Sequence, residues 1–285
     1  MLKHLLGRFT RAQRVAPEAW ESAWSQLPWL NHLNRADQEL LKSLAAQFIE
    51  QKQFTGVHGF VMSDPVRVSI ALQACLPVLR LGLDYYRDFV EIIIYPDRFI
   101  VPRQLTDDHG IVHESIDELA GESMDGGPIV LAWPEIDPNA GAPGINVIIH
   151  EFVHKLDLLD GEADGTPPLA PNQRAAWQRV LIDSYELFCA ALDRVESSIP
   201  SDIDPESEAA DAFYAALPLD PYAATDPTEF FAVSAEVFFT LPQMLALHFP
   251  DLYREFRSYF GQDPASCVEA EHPDKHAPAT TISID

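Results

Sequence analysis

Long hydrophobic runs are missing from this 285-residue chain. No stretch of about 18 apolar residues occurs, so no helix is expected to span a membrane. Cysteine is nearly missing as well. Cys75, Cys189 and Cys267 are odd in number, far apart and without any Cys-x-x-Cys pair, which excludes a disulfide framework and a cysteine-built zinc knuckle. They read as free thiols in a reducing compartment. Positive charge is the third scarcity: 19 Lys and Arg stand against 44 Asp and Glu, a formal charge of -25. Without a basic stripe to neutralise phosphates, nucleic acid is excluded as a partner. The opening MLKHLLGRFTRAQRV has neither a continuous apolar core nor a small-residue cleavage site, so no secretory signal is read and a cytoplasmic protein is expected.

What is present is globular. An apolar share of 47% with 10% aromatics suits a packed domain rather than a disordered chain. Trp20, Trp24, Leu27 and Leu30, then Leu40, Leu41, Leu44, Ala45 and Phe48, recur at three- and four-residue spacing. They predict two or three helices, the second capped by Asp37. Residues 64–81 predict a further, buried helix. The texture then changes. FVEIIIYPDRFIVP (89–102) predicts a hairpin about its Pro-Asp turn, GPIVLAW (127–133) a strand, and IVHES around His113 another. Helices are predicted again over 172–195, 227–241 and 252–260. The acidic, proline-rich SSIPSDIDPESEAADAFYAALPLDP reads as an inserted surface loop with one helical turn. The tail from Asp263 reads as disordered, so its His272 and His276 offer no preorganised metal site. His109 and His113 lie four apart, but Gly110 and the β-branched residues of DDHGIVHES favour a turn and strand, where such spacing does not converge.

One stretch carries chemistry. INVIIHEFVHKLDLLDG (145–161) places His150 and His154 four residues apart with Glu151 directly after the first. On an α-helix, residues four apart share a face, so both imidazoles can reach one small dication at roughly 2.0–2.1 Å. Glu151, turned about 100° from His150, stays out of the ligand set and flanks the open position, where it can take a proton from water. Ile145, Ile148, Ile149, Phe152, Val153 and Leu156 make the rest of the helix apolar, Lys155 gives it one polar edge, and Gly161 suits its C-cap. Burying two imidazoles and a carboxylate is costly unless something satisfies them together.

A catalytic zinc takes three protein ligands and a water. Asp160 is one candidate for the third ligand. Asp157 stands where the glycine of a His-Glu-x-x-His-x-x-Gly signature would break the helix, and without that break Asp160 is carried about 9 Å up the axis from His154. The other candidate lies in DPYAATDPTEFFAVSAEVFFTLP. Asp226 caps a helix there, Pro227 takes its first position, and Glu229 and Glu236 fall seven apart on one stripe. An acidic first-turn residue can equally be a partner of the helix dipole.

HEFVHKLDLLDG and DPYAATDPTEFFAVSAEVFF, with QACLPVLRLGLDYYRDFVEIIIYPDRFIVP and GPIVLAW, resemble the Mlc titration factor A family of bacterial zinc peptidases over residues 15–262. YAATDPTEFFA is also similar, more distantly, to the anthrax lethal factor peptidase domain. The resemblance implies an α+β, zincin-like fold: mostly helical, with a small mixed β-sheet packed on the zinc-binding helix. It implies one peptidase domain over 1–262, its N-terminal helical part at about 15–85, followed by an acidic tail over 263–285. It further implies one Zn²⁺ on His150, His154 and Glu229, Glu151 as general base, and Tyr222 as the group that steadies the oxyanion. Glu236 is expected to support the site from behind. The activity implied is aminopeptidase-like hydrolysis of peptides or proteins, and GPIVLAW is expected to supply an edge strand for an extended substrate. A reading of another class is a regulatory module that binds the Mlc repressor and relieves repression of glucose-uptake genes, with minor peptidase activity. A purely structural zinc would need four ligands, most often cysteines.

Overall fold

A computed structural model describes residues 15–106, 112–119, 121–123, 126–137, 143–205 and 207–268. The helices are α1 (Pro17–Ser25), α2 (Arg35–Gln51), α3 (Asp64–Cys75), α4 (Trp133–Ile136), α5 (Val147–Asp157), α6 (Pro171–Ser198), α7 (Asp211–Tyr214), α8 (Pro227–Thr240), α9 (Pro242–His248), α10 (Pro250–Phe260) and α11 (Pro264–Val268). The strands are β1 (Gln53–Gly56), β2 (Glu91–Tyr95), β3 (Phe99–Thr106), β4 (Val112–Leu119), β5 (Gly121–Ser123) and β6 (Ile129–Ala132). The chain is therefore mostly helical around a small mixed sheet, as expected of an α+β protein. No helix among the described residues is long and apolar enough to cross a membrane.

The sheet runs β1-β2-β6-β5, parallel through its first three strands and antiparallel at β5. Two expectations fail here. Residues 89–102 do not form a hairpin: β2 joins β1 and β6 in parallel, while β3 leaves to pair antiparallel with β4. The Pro-Asp dipeptide thus marks a change of sheet, which local turn chemistry cannot distinguish from a reversal. GPIVLAW is not an edge strand either. Its β6 lies between β2 and β5, fully apolar and buried, and the edges are β1 and the three-residue β5.

Smaller corrections are also physical. The cap of α2 is Asn34, whose side-chain oxygen accepts from Asp37 N–H at 3.0 Å; Asp37 sits in the first turn. The helix from Asp64 stops at Cys75 rather than at 81, giving way to tight turns through 76–81. The inserted acidic stretch contains the single turn α7, and the start of the tail is helical in α11. His109, His272 and His276 lie outside the described residues.

One continuous apolar core runs from Ala19 to Ala265. Two aromatic knots in it set the positions of α5 and α8. Phe152 of α5 packs edge-on against Phe48, Tyr86 and Phe89, with ring centroids 5.6, 5.2 and 5.9 Å away. Phe231 of α8 meets Trp177 at 5.8 Å and Phe256 at 5.5 Å, and Phe238 meets Phe256 at 5.7 Å. Edge-to-face aromatic pairs add about 0.5–1.5 kcal/mol each beyond the area they bury, and they tolerate little rotation. A backbone link joins the knots. Gly165 N–H donates to Asp157 Oδ2 of α5 at 2.8 Å, and Gly165 O accepts from Trp177 Nε1 of α6 at 2.8 Å. With φ of +75°, and with Pro227 O only 2.8 Å from where a Cβ would stand, this position requires glycine.

Candidate metal centre

Helix α5 begins at Asn146, whose side chain accepts from Ile149 N–H at 2.9 Å and donates to Gln73 Oε1 of α3 at 2.8 Å. That double tie fixes the start of the helix, and the local spacing then aims His150 and His154 the same way. Their Nε2 atoms lie 3.0 Å apart. The flank differs from expectation in two places. Lys155 is buried, donating to Gly127 O at 2.9 Å, and Ile145, just before the helix, is exposed.

Helix α8 begins at Asp226, which accepts from Thr228 N–H at 2.8 Å and Glu229 N–H at 2.9 Å, with Pro227 in the first turn. Thr228 Oγ1 donates to Ala163 O at 2.8 Å, tying this helix start to the segment after α5. Glu229 is thereby turned toward the histidines. Its Oε2 lies 3.0 Å from His150 Nε2 and 3.4 Å from His154 Nε2, buried and without a well-directed hydrogen bond.

These three atoms are the one group of His, Cys, Asp and Glu among the described residues arranged to hold a metal ion. Their chemistry fits. Each can present a lone pair, and two ring nitrogens with a carboxylate oxygen are a common donor set for zinc. A tetrahedral ion with bonds of roughly 2.0–2.1 Å has ligand-to-ligand edges of about 3.3–3.4 Å, close to the spacings found. A buried carboxylate oxygen with no hydrogen bond, facing two imidazole nitrogens, is costly unless a cation completes the arrangement.

Glu236, one stripe along α8, bridges the site from behind. Its Oε1 is 2.7 Å from His150 Nδ1, and its Oε2 accepts from Asn146 N–H. With a cation at the site, a proton held on Nδ1 by that carboxylate would leave the Nε2 lone pair for the ion and fix the ring's orientation. Burial alone would lower the pKa of His150, but the close approach of the Glu229 and Glu236 carboxylates outweighs it and raises the pKa well above its usual value. Burial likewise raises the carboxyl pKa of Glu229, yet the close approach and charges of both histidines carry it far below the usual carboxylate range.

Glu151 is only 5% exposed. Burial pushes its pKa up, while the two imidazoles pull the other way. Tyr222 sits in a short turn over Pro221–Ala224, capped by Asp220 and held to α6 by Tyr185 Oη donating to Ala224 O at 3.0 Å. Its ring centroid is 6.1 Å from that of His150, and its side is open to solvent, at 51% exposure. Burial of the rest, then the charges of Glu229 and Glu151, raise its hydroxyl pKa. Asp160 stands apart: its Oδ2 is ion-paired with Arg174 of α6.

His150, Glu151, His154, Glu229, Tyr222 and Glu236, all singled out from the sequence, are thus in one place, and Asp160 is not. Asn146, Gln73 and the Gly165–Trp177 link were missed. Only Asn146, an Asx residue directly before an apolar helix, carried a local signal.

The family described as glucose-regulated metallo-peptidase M90 matches residues 3–261. The chain belongs to that family. Relatives of this M90 chain include Mlc titration factor A of Cronobacter sakazakii, 39% identical over 251 residues, 88% of each chain. That of Escherichia fergusonii is 36% identical over 264 residues, 92% of this chain and 93% of its own. That of Serratia proteamaculans is 37% identical over 251 residues, 88% and 89%. Membership of a metallopeptidase family implies a metal ion, and the grouped ligand atoms are its candidate site.

Proposed function

We propose that this M90 protein is a cytoplasmic, zincin-like zinc peptidase, aminopeptidase-like in its substrate choice. The observation that carries the reading is the meeting of His150 Nε2, His154 Nε2 and Glu229 Oε2 within 3.0–3.4 Å of one another, with Glu151 beside them. These three residues hold the ion. When bound there, zinc supplies a Lewis acid that brings the pKa of water toward about 7 and polarises a carbonyl. Glu151 takes the proton from the attacking water and returns it to the leaving amine. Tyr222, on the open side, donates a hydrogen bond from its hydroxyl to the developing oxyanion and keeps its proton. Glu236 keeps the His150 ring turned so that Nε2 faces the site. Peptides or proteins enter from the solvent side that Tyr222 borders.

The test is Glu151→Gln. Turnover of chromogenic amino-acid substrates falls by about 10²–10⁴-fold while zinc stays near one per chain; an active Glu151→Gln protein removes Glu151 from the chemistry. Blocked internal peptides, run alongside, separate aminopeptidase from endopeptidase action.

The name of the relatives supports a second, compatible reading: binding of the Mlc repressor. One fold can present both a cleft and a docking face. Pull-down of purified Mlc by zinc-free Glu151→Gln protein supports a separate surface, and loss of binding with the metal ties binding to the site.

A further inference from the structure

The edge strand β5 carries a glycine whose role nothing in its own backbone explains. Gly121 has no positive φ, so an L side chain would suit its conformation. What excludes one is Glu151. A Cβ at Gly121 would lie 2.7 Å from Glu151 Cγ and 2.8 Å from Cδ, and closer still to Oε1. Real Cβ atoms essentially never approach so near, so one of the two would have to move.

The strand is tied on both sides, which leaves the Glu151 carboxylate as the part that would shift. Gly121 is opposite Leu131 in the β5–β6 ladder, and Leu131 is fully buried. On the helix side, Lys155 is four residues after Glu151, hence on the same face, and donates to Gly127 O in the turn just before β6. The β5–β6 hairpin is therefore held to α5 on the face that Glu151 shares. Glu151 in turn is enclosed between the strand and the imidazoles.

We propose that Gly121 is a positioning residue for the peptidase reaction: its missing side chain lets the edge strand close against the Glu151 carboxylate and fix where that carboxylate sits relative to the metal ligands. The catalytic part rests on the peptidase reading. The packing part does not, and the experiment separates them.

Gly121→Ala, Glu151→Ala and the double variant are compared by thermal unfolding of the full chain. The added methyl is expected to lower the Tm of the Glu151 protein and to have little effect where Glu151→Ala has emptied the space. If Gly121→Ala fails to fold but the double variant folds, that is the same coupling. An equal loss in both backgrounds, or failure of both to fold, overturns the proposal. In the second arm Gly121→Ala lowers kcat by about 10²-fold, as expected for a reacting group displaced by roughly 1 Å. KM and zinc content stay near wild type, and in the Glu151→Gln background the methyl has no further effect. Wild-type kcat in Gly121→Ala, or the same further fall in the Glu151→Gln background, overturns it. A wild-type protein without turnover defeats the peptidase reading alone, and the thermal cycle still decides the packing.

Discussion

Helices α5 and α8 are both buried nearly all round, yet they build the site by opposite means. In α5, the two proposed ligands and the proposed base fall within five residues, and the helix pitch alone aligns the imidazoles. In α8, a single carboxylate arrives from a sequence distance of 75 residues beyond His154, and no local rule aims it there. Its position depends on Asp226 capping the helix start, Thr228 reaching Ala163 O, and the Trp177–Phe231–Phe256 knot. One helix contributes by its periodicity and the other by its packing. Damage to packing should therefore affect the metal differently on the two sides.

The largest effects should come from the aromatic knots. Phe152→Ala and Phe231→Ala each remove a fully buried ring, and each should cost about 3–5 kcal/mol in chemical denaturation. The two should differ in zinc affinity measured at equal folded fraction. Phe231→Ala loosens the helix that aims Glu229 and should weaken zinc more than Phe152→Ala, which leaves the His150–His154 spacing intact. Equal weakening would remove the contrast between the helices.

Glu236→Gln should have a middle effect. It keeps a hydrogen bond to His150 but loses the charge that stabilises that ring as a ligand, and zinc affinity should fall about 10–100-fold in a competition titration. The single amide oxygen cannot also accept from Asn146 N–H, so a loss of about 1–3 kcal/mol in stability should accompany the change. Unchanged affinity would make Glu236 a structural bridge only.

The caps should matter least. Asp226→Ala and Asn146→Ala remove side-chain acceptors at the two helix starts and should each cost about 1 kcal/mol in stability. Asp226→Ala should also raise the zinc dissociation constant slightly, because Glu229 is in the turn it caps. If Asn146→Ala is the more costly of the two, the added tie to Gln73 accounts for it.

The same contrast explains what could be read without coordinates. Helix α5 was legible as a candidate metal-binding helix because His150, Glu151 and His154 are set by a fixed pitch. The second helix was legible as a helix, from its Asp-Pro start and apolar sides, but its aim toward α5 came only through resemblance to a family. The sheet was the least legible. β2 and β3 look like the two arms of a hairpin, and only β1 and β6, distant in sequence, show that β2 belongs with them. β5 is three residues long and carries no alternation, so the edge of the sheet was assigned to β6 instead. Gly121 was invisible for the same reason: its role is the absence of an atom beside a residue on another element.

Zinc content after dialysis against a buffered zinc standard tests the central claim most directly, comparing wild type with Glu229→Ala. Convergence of the two helices on one ion predicts about one zinc per wild-type chain and almost none in a folded Glu229→Ala protein. Wild-type occupancy in Glu229→Ala would contradict it, because the imidazole pair alone would then suffice and the carboxylate of α8 would have no part in holding the metal.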